Sequence, residues 1–204
     1  PGIPSDVSYI DFLAPGIVAI SVLFSSMFAG VSVLWDKEFG FLQEVFVAPV
    51  KRVTIVVGRA LGGSTTALIQ GAVIIAISSA FGVRMSAPGL LLAMLFMLLI
   101  AFAAVSFGLI IASQMSDIHG FQLVMNLLVM PLIFFSTAFY PISGLPEWMR
   151  TMVLINPLTY GVDGIRGSLV NLGYLPISVD LTVLLAVCAA LTASAALLFS
   201  RSEV

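Results

Sequence analysis

The sequence predicts an all-α polytopic membrane bundle with about five spanning helices. Three observations lead there. Of the 204 residues, 60% are hydrophobic and only 9% are charged, whereas an ordinary soluble domain carries about 25% charged residues. The apolar residues fall in long continuous runs without period-2 alternation, which excludes a membrane β-barrel. Each run also approaches the roughly 20 residues that a helix needs to cross a hydrocarbon core. A water-soluble fold of this composition would expose apolar areas that invite aggregation. The formal net charge of −2 gives no electrostatic basis for nucleic acid as a partner. Cys188, the one cysteine, can form no intrachain disulfide.

The elements follow in order, as a single transmembrane domain over residues 1–204. The first span covers residues 12–34, with Pro15 tolerated in its first turn. The second, 55–82, contains Arg59 close enough to its end to snorkel. The third, 88–113, is uncharged, and the fourth, 121–140, holds Pro131, which should kink it. The fifth covers 179–200. Two connections are long, 35–54 and 141–178. Counting Lys and Arg, one side receives Lys37, Lys51, Arg52, Arg59 and Arg201, and the other Arg84, Arg150 and Arg166. The bias places the 35–54 loop and the C-terminus in the cytoplasm and residue 1 outside. An external residue 1 without a signal peptide fits a further span upstream.

In the cytoplasmic loop, Phe39, Leu42 and Phe46 recur at helical spacing, with Phe41 and Val45 widening the apolar face. Asp36 is placed to cap such a helix, and Pro49 ends it. The pattern reads as a short amphipathic helix on the membrane or in a partner's groove, or as a solvated turn. The external connection opens with Tyr140, Pro141 and a Pro/Ser/Gly-rich turn, then reads as two short helices broken at Asn156-Pro157. Neither half is long enough to span, so the pair is expected to re-enter the outer leaflet.

Two sets of residues carry a family resemblance. The run Glu38-x-Gly40-x-x-x-Glu44, then Ala48-Pro49-Val50 and Gly58-Arg59-Ala60-Leu61-Gly62, resembles the membrane subunit of type-2 ABC exporters. So do Phe139-Tyr140-Pro141, Leu145-Pro146 and Asn156-Pro157-Leu158-Thr159-Tyr160. The variant is similar to the permeases of drug, antibiotic and polysaccharide exporters. The resemblance implies six spans, the first of them missing here. It also implies that Glu38, Gly40, Leu42, Glu44 and Pro49 form a coupling helix seated in a separate ATPase subunit. Phe41 stands where that family usually has Thr. Tyr140, Pro141, Asn156, Pro157 and Tyr160 would belong to the external re-entrant pair. The implied partners are an ABC ATPase, which would carry the ATP and Mg, a second copy or a paralogue of the permease, and the lipid of the inner membrane.

No catalytic role is expected of the chain itself. It has no Gly-x-x-x-x-Gly-Lys-Ser/Thr phosphate loop, no Cys/His cluster with metal spacing, and a single histidine, His119, in a polar turn beside Asp117. An enzyme acting on lipids or peptides would need paired acids or a Ser/His pair at depth, and neither is present. Asp163 and Asp180 read as residues at external helix ends, so ion coupling lacks its expected midplane acids. Gly58 and Gly62 have the spacing of a close packing pair, read first as packing within the chain. The leading expectation is a permease for an amphipathic substrate; the alternative is a non-transporting membrane scaffold or assembly factor.

Overall fold

The computed structural model describes residues 8–39, 52–83, 85–115 and 117–201, and these are helical with no strand among them. The helices are α1 (Tyr9–Phe28), α2 (Val31–Glu38), α3 (Arg52–Ala80), α4 (Ala87–Ser113), α5 (Ile118–Phe134), α6 (Glu147–Ile155), α7 (Pro157–Val170) and α8 (Ile177–Arg201). A single 3-10 turn, Ile142–Gly144, precedes α6. Four helices are long and apolar enough to cross a membrane: α1, α3, α4 and α8. α5 is apolar but has 17 residues, about 25 Å of helix against a core of about 30 Å.

The bundle is organised around α4, which packs against α1, α3, α7 and α8. Its Phe96, Met97, Val105 and Leu109 are fully buried. Ser86 caps its start by accepting from the N–H of Gly89, and Pro88 follows in the first turn, where its missing N–H costs nothing. Across the bundle, Ser106 and Thr192 share a 3.0 Å hydrogen bond between α4 and α8. The outward sides are apolar too, with Leu61, Ile69, Val73 and Ile77 exposed on α3 and Leu123, Leu127 and Met130 on α5.

Two boundaries differ from the sequence expectation. The first apolar run does not form one helix over 12–34; it breaks at Ala29-Gly30, and Val31 onward starts α2. The break lies where the chains of α1 and α4 come closest: a Cβ on Gly30 would stand 2.8 Å from the Gly108 carbonyl carbon. The second difference is at the end of α5. The apolar run continues to Tyr140, yet the helix stops at Phe134 and 135–140 turn without regular structure. Side chains from α7 supply the reason, as shown below.

Glycines admit the shorter helices into the bundle. A Cβ on Gly89 would meet the Ser168 carbonyl oxygen at 1.8 Å, so α4 and α7 touch backbone to backbone there. Gly161 faces Ile100 and Gly164 faces the Phe96 ring, both on α4. By contrast, Gly58 and Gly62 face no atom within 4 Å among the described residues. The expected packing of this pair within the chain is therefore not found there.

Candidate functional site

The feature that departs most from a simple bundle is the hairpin of α6 and α7. α6 has 9 residues and α7 has 14, about 13 and 21 Å of helix, so neither crosses a core of about 30 Å. Irregular backbone packed inside a bundle is tolerated only when protein groups satisfy its N–H and C=O. The Asn156-Pro157-Leu158-Thr159-Tyr160 run does this residue by residue.

Asn156 acts in both directions. Its Oδ1 accepts from the N–H of Leu158 at 3.0 Å, capping α7. Its Nδ2 donates to the carbonyls of Leu132 and Phe135 at 2.6 and 2.8 Å, in the last turn of α5 and just beyond it. Pro157 takes the first helical position, where no N–H is wanted. Thr159 Oγ1 donates to the Val153 carbonyl at 2.6 Å, and Tyr160 Oη to the Leu154 carbonyl at 2.7 Å. Both carbonyls lie in the last turn of α6, where that of Val153 also accepts from the Asn156 N–H. From the other side, Tyr140 Oη donates to the Phe134 carbonyl. Pro141 holds the extended position before the 3-10 turn. The early end of α5 follows: its final carbonyls are taken by side chains instead of a further turn.

The sequence reading has Asp163 near an external helix end and Arg166 among the basic residues of the external side. The structure buries both, at 1% and 2% exposure. The Arg166 Nε donates to the Phe12 carbonyl at 3.2 Å and Nη2 to the Thr137 carbonyl at 2.7 Å. Its guanidinium lies 3.8 Å from the centre of the Phe12 ring. One side chain thus joins α1, the turn after α5, and α7. The Asp163 carboxylate accepts from the N–H groups of Tyr174, at 2.9 Å, and Leu175, at 2.8 Å, and so fixes the α7–α8 connection. Asp180, in the first turn of α8, is fully buried, and neither carboxylate oxygen has a hydrogen-bond partner among the described residues. A signal for this burial existed in Gly161-Val162-Asp163-Gly164-Ile165-Arg166-Gly167. Glycines at every third position mark a helix face that neighbours approach closely, and the acid and base sit three apart beside it.

The other predicted cluster is only partly in view. Glu38 closes α2, while Gly40, Leu42, Glu44 and Pro49 lie outside the described residues. At this end Arg59 of α3 pairs with Asp36 of α2 and donates to Ser32 Oγ at 3.0 Å. Arg59 therefore binds a neighbouring helix, where snorkelling was expected. Asp36 spends its carboxylate on that pair. In the turn before α5, Asp117 caps the helix by accepting from the N–H of Gly120 at 2.6 Å. That bond holds its carboxyl below the usual carboxylate range.

Between α1, α4, α5, α7 and α8 lies a cavity of about 220 Å³, lined wholly by apolar residues including Leu23, Ile100, Phe107, Leu132, Leu158 and Leu191. Among the described residues no cluster of three or more His, Cys, Asp or Glu could hold a metal.

Comparison with known proteins decides the family. Residues 2–170 match the model of the family described as "ABC-2 type transporter". The chain belongs to the ABC-2 type transporter family. It is 30% identical over 167 residues to the "Putative transport permease ycf38" of Porphyra purpurea, covering 79% of this chain and 56% of that one. It is 26% identical over 178 residues to the "Inner membrane transport permease YadH" of Escherichia coli K12, covering 87% of this chain and 69% of that protein. It is 26% identical over 159 residues to the "Probable multidrug ABC transporter permease YbhR" of the same strain, covering 78% and 43%. The chain spans about half the length of the ycf38 relatives that it matches. Its membership of the ABC-2 type transporter family agrees with the four helices that are long and apolar enough to cross a membrane.

Proposed function

We propose that this chain is the permease subunit of an ATP-driven exporter for an amphipathic substrate, powered by a separate ABC ATPase that carries the ATP and Mg. The observation that carries the reading is the family match, which runs unbroken from residue 2 to residue 170 through both the loop after α2 and the α6–α7 hairpin. In this reading two permeases, identical or paralogous, pair in the inner membrane. Glu38, Gly40, Leu42, Glu44 and Pro49 form the segment that the ATPase pushes on. The excess of Lys and Arg near that loop supports a cytoplasmic position for it, with residue 1 and the hairpin on the external side. The Arg59–Asp36 pair would then join the moving segment to α3, so that α2 and α3 shift together.

The substrate class rests on chemistry. The cavity inside the bundle is entirely apolar, and a drug-like or lipid-linked molecule with a hydrophobic part suits it better than a free ion. One relative bears a multidrug name, which agrees with that class. The test is ATP turnover of the full-length protein co-purified in lipid with its ATPase, comparing wild type with Glu44→Lys. Turnover that depends on the permease and falls with the charge reversal supports the reading. If no ATPase co-purifies and Glu44→Lys changes nothing, a scaffold or assembly role replaces it.

A further inference from the structure

The α6/α7 end of the bundle holds a second cavity, of about 340 Å³, whose lining includes Phe12, Thr137, Ser143, Asp163, Arg166 and Tyr174. Unlike the apolar cavity, it presents buried groups of both signs. We propose that it binds a zwitterionic headgroup, one phosphodiester and one ammonium, of the kind that phosphatidylethanolamine carries.

Four observations carry the inference. First, Arg166 spends Nε and Nη2 on carbonyls, and its Nη1 makes no hydrogen bond among the described residues, which leaves a cationic donor for an oxyanion. Second, the Thr137 hydroxyl is buried without a partner among the described residues, so a further polar group in the same lining is unsatisfied. Third, the Asp163 carboxylate accepts from two N–H groups, Tyr174 and Leu175. A carboxylate offers about four acceptor positions, and these two N–H groups make three contacts with it, so one position remains for an ammonium. Fourth, the charges balance. The lining holds one cation, Arg166, and one acid, Asp163, and a lining with no net charge suits a ligand carrying one charge of each sign. From outside the cavity Arg150 donates to the Oη of Tyr174 at 2.5 Å and lies 5.8 Å from its ring centre, which holds that lining residue in place. A purely anionic headgroup would meet Asp163 without compensation.

The place fits a lipid. The cavity lies where α1 begins and the α7–α8 connection turns, at the ends of apolar helices, and Pro141 and Leu172 add apolar lining for a glycerol stem. Soluble phosphoethanolamine shares the same chemistry, so the experiment separates the two sources.

The purified full chain would be loaded with phosphatidylethanolamine or phosphatidylglycerol of identical acyl chains, washed in detergent, and weighed intact by native mass spectrometry. The expected result is one phosphatidylethanolamine per chain, held about tenfold more tightly than phosphatidylglycerol, the difference of one charge-assisted contact. Ser143→Trp at the exposed mouth should abolish that retention without moving the thermal unfolding midpoint, and Arg150→Gln should weaken it. Equal retention of the two lipids, or full retention in both variants, overturns the proposal. A parallel arm adds phosphoethanolamine: displacement of the lipid assigns the site to any zwitterion of this kind, and persistence of the lipid assigns it to the membrane. None of these readouts needs the ATPase, so the result stands apart from the exporter reading.

Discussion

Asn156 joins three backbone positions with one side chain, capping α7 with its oxygen and closing two carbonyls at the end of α5 with its nitrogen. Asn156→Ala removes the cap and leaves both carbonyls unpaired at 6% exposure of the residue, so we expect a loss of about 2–3 kcal/mol of stability. Tyr160→Phe removes one bond at the end of α6 and should cost well under 1 kcal/mol, roughly the average of hydrogen bonds measured within membranes. Thermal unfolding of the detergent-solubilised protein checks both, and equal effects would contradict the assignment. At the opposite end, the Asp117 carboxyl is held below its usual range by the Gly120 N–H. A lowered folded value means that the cap stabilises the helix start above the unfolded value of about 3.9 and is lost as pH falls through the folded one. Exchange protection of the Gly120 and Phe121 amides should therefore collapse in acid, and in Asp117→Asn that acid dependence should vanish.

Helices approach one another here as closely as their glycines permit, and the consequences are testable element by element. At Gly89 a methyl group would meet the Ser168 carbonyl oxygen at 1.8 Å, which only separation of α4 from α7 relieves. Gly89→Ala should cost about 2 kcal/mol, seen as faster proteolysis between α7 and α8. Gly62→Ala meets open space and should be neutral or gain up to about 1 kcal/mol from helix propensity. The elements themselves were largely legible in the sequence, because a run of some twenty apolar residues has few other uses. Asn156-Pro157 likewise marked the break between α6 and α7, since a capping side chain followed by proline leaves little choice of backbone. What the apolar pattern could not carry was information from distant partners. The end of α5 is set by Asn156, 21 positions beyond Phe135, and the break at Gly30 by the backbone of Gly108. Nor could it place Arg166, because a charge near a Gly-rich stretch reads equally as a loop residue or as a buried anchor.

At the scale of the molecule, Arg166 is the anchor that closes one end of the bundle, through Phe12 on α1 and Thr137 after α5. Removing one member of a buried charged group leaves the other uncompensated, so Arg166→Met should cost roughly 3 kcal/mol or more. Asp163→Asn combined with Arg166→Met should recover part of that loss, since no lone charge then remains. The yield of folded protein, with the unfolding midpoint, measures both variants, and failure of the double substitution to recover would point to the carbonyl contacts as the larger effect. The span of this anchor also bears on how the molecule is made. Phe12 and Arg166 are 154 positions apart. The carbonyl of Phe12 is thus synthesised well before its donor, which emerges 154 positions later. Until then the young bundle holds an unsealed polar seam. A ribosome stalled before α7 would leave a product with apolar spans in place and one end open, the kind of species that membrane quality control can recognise.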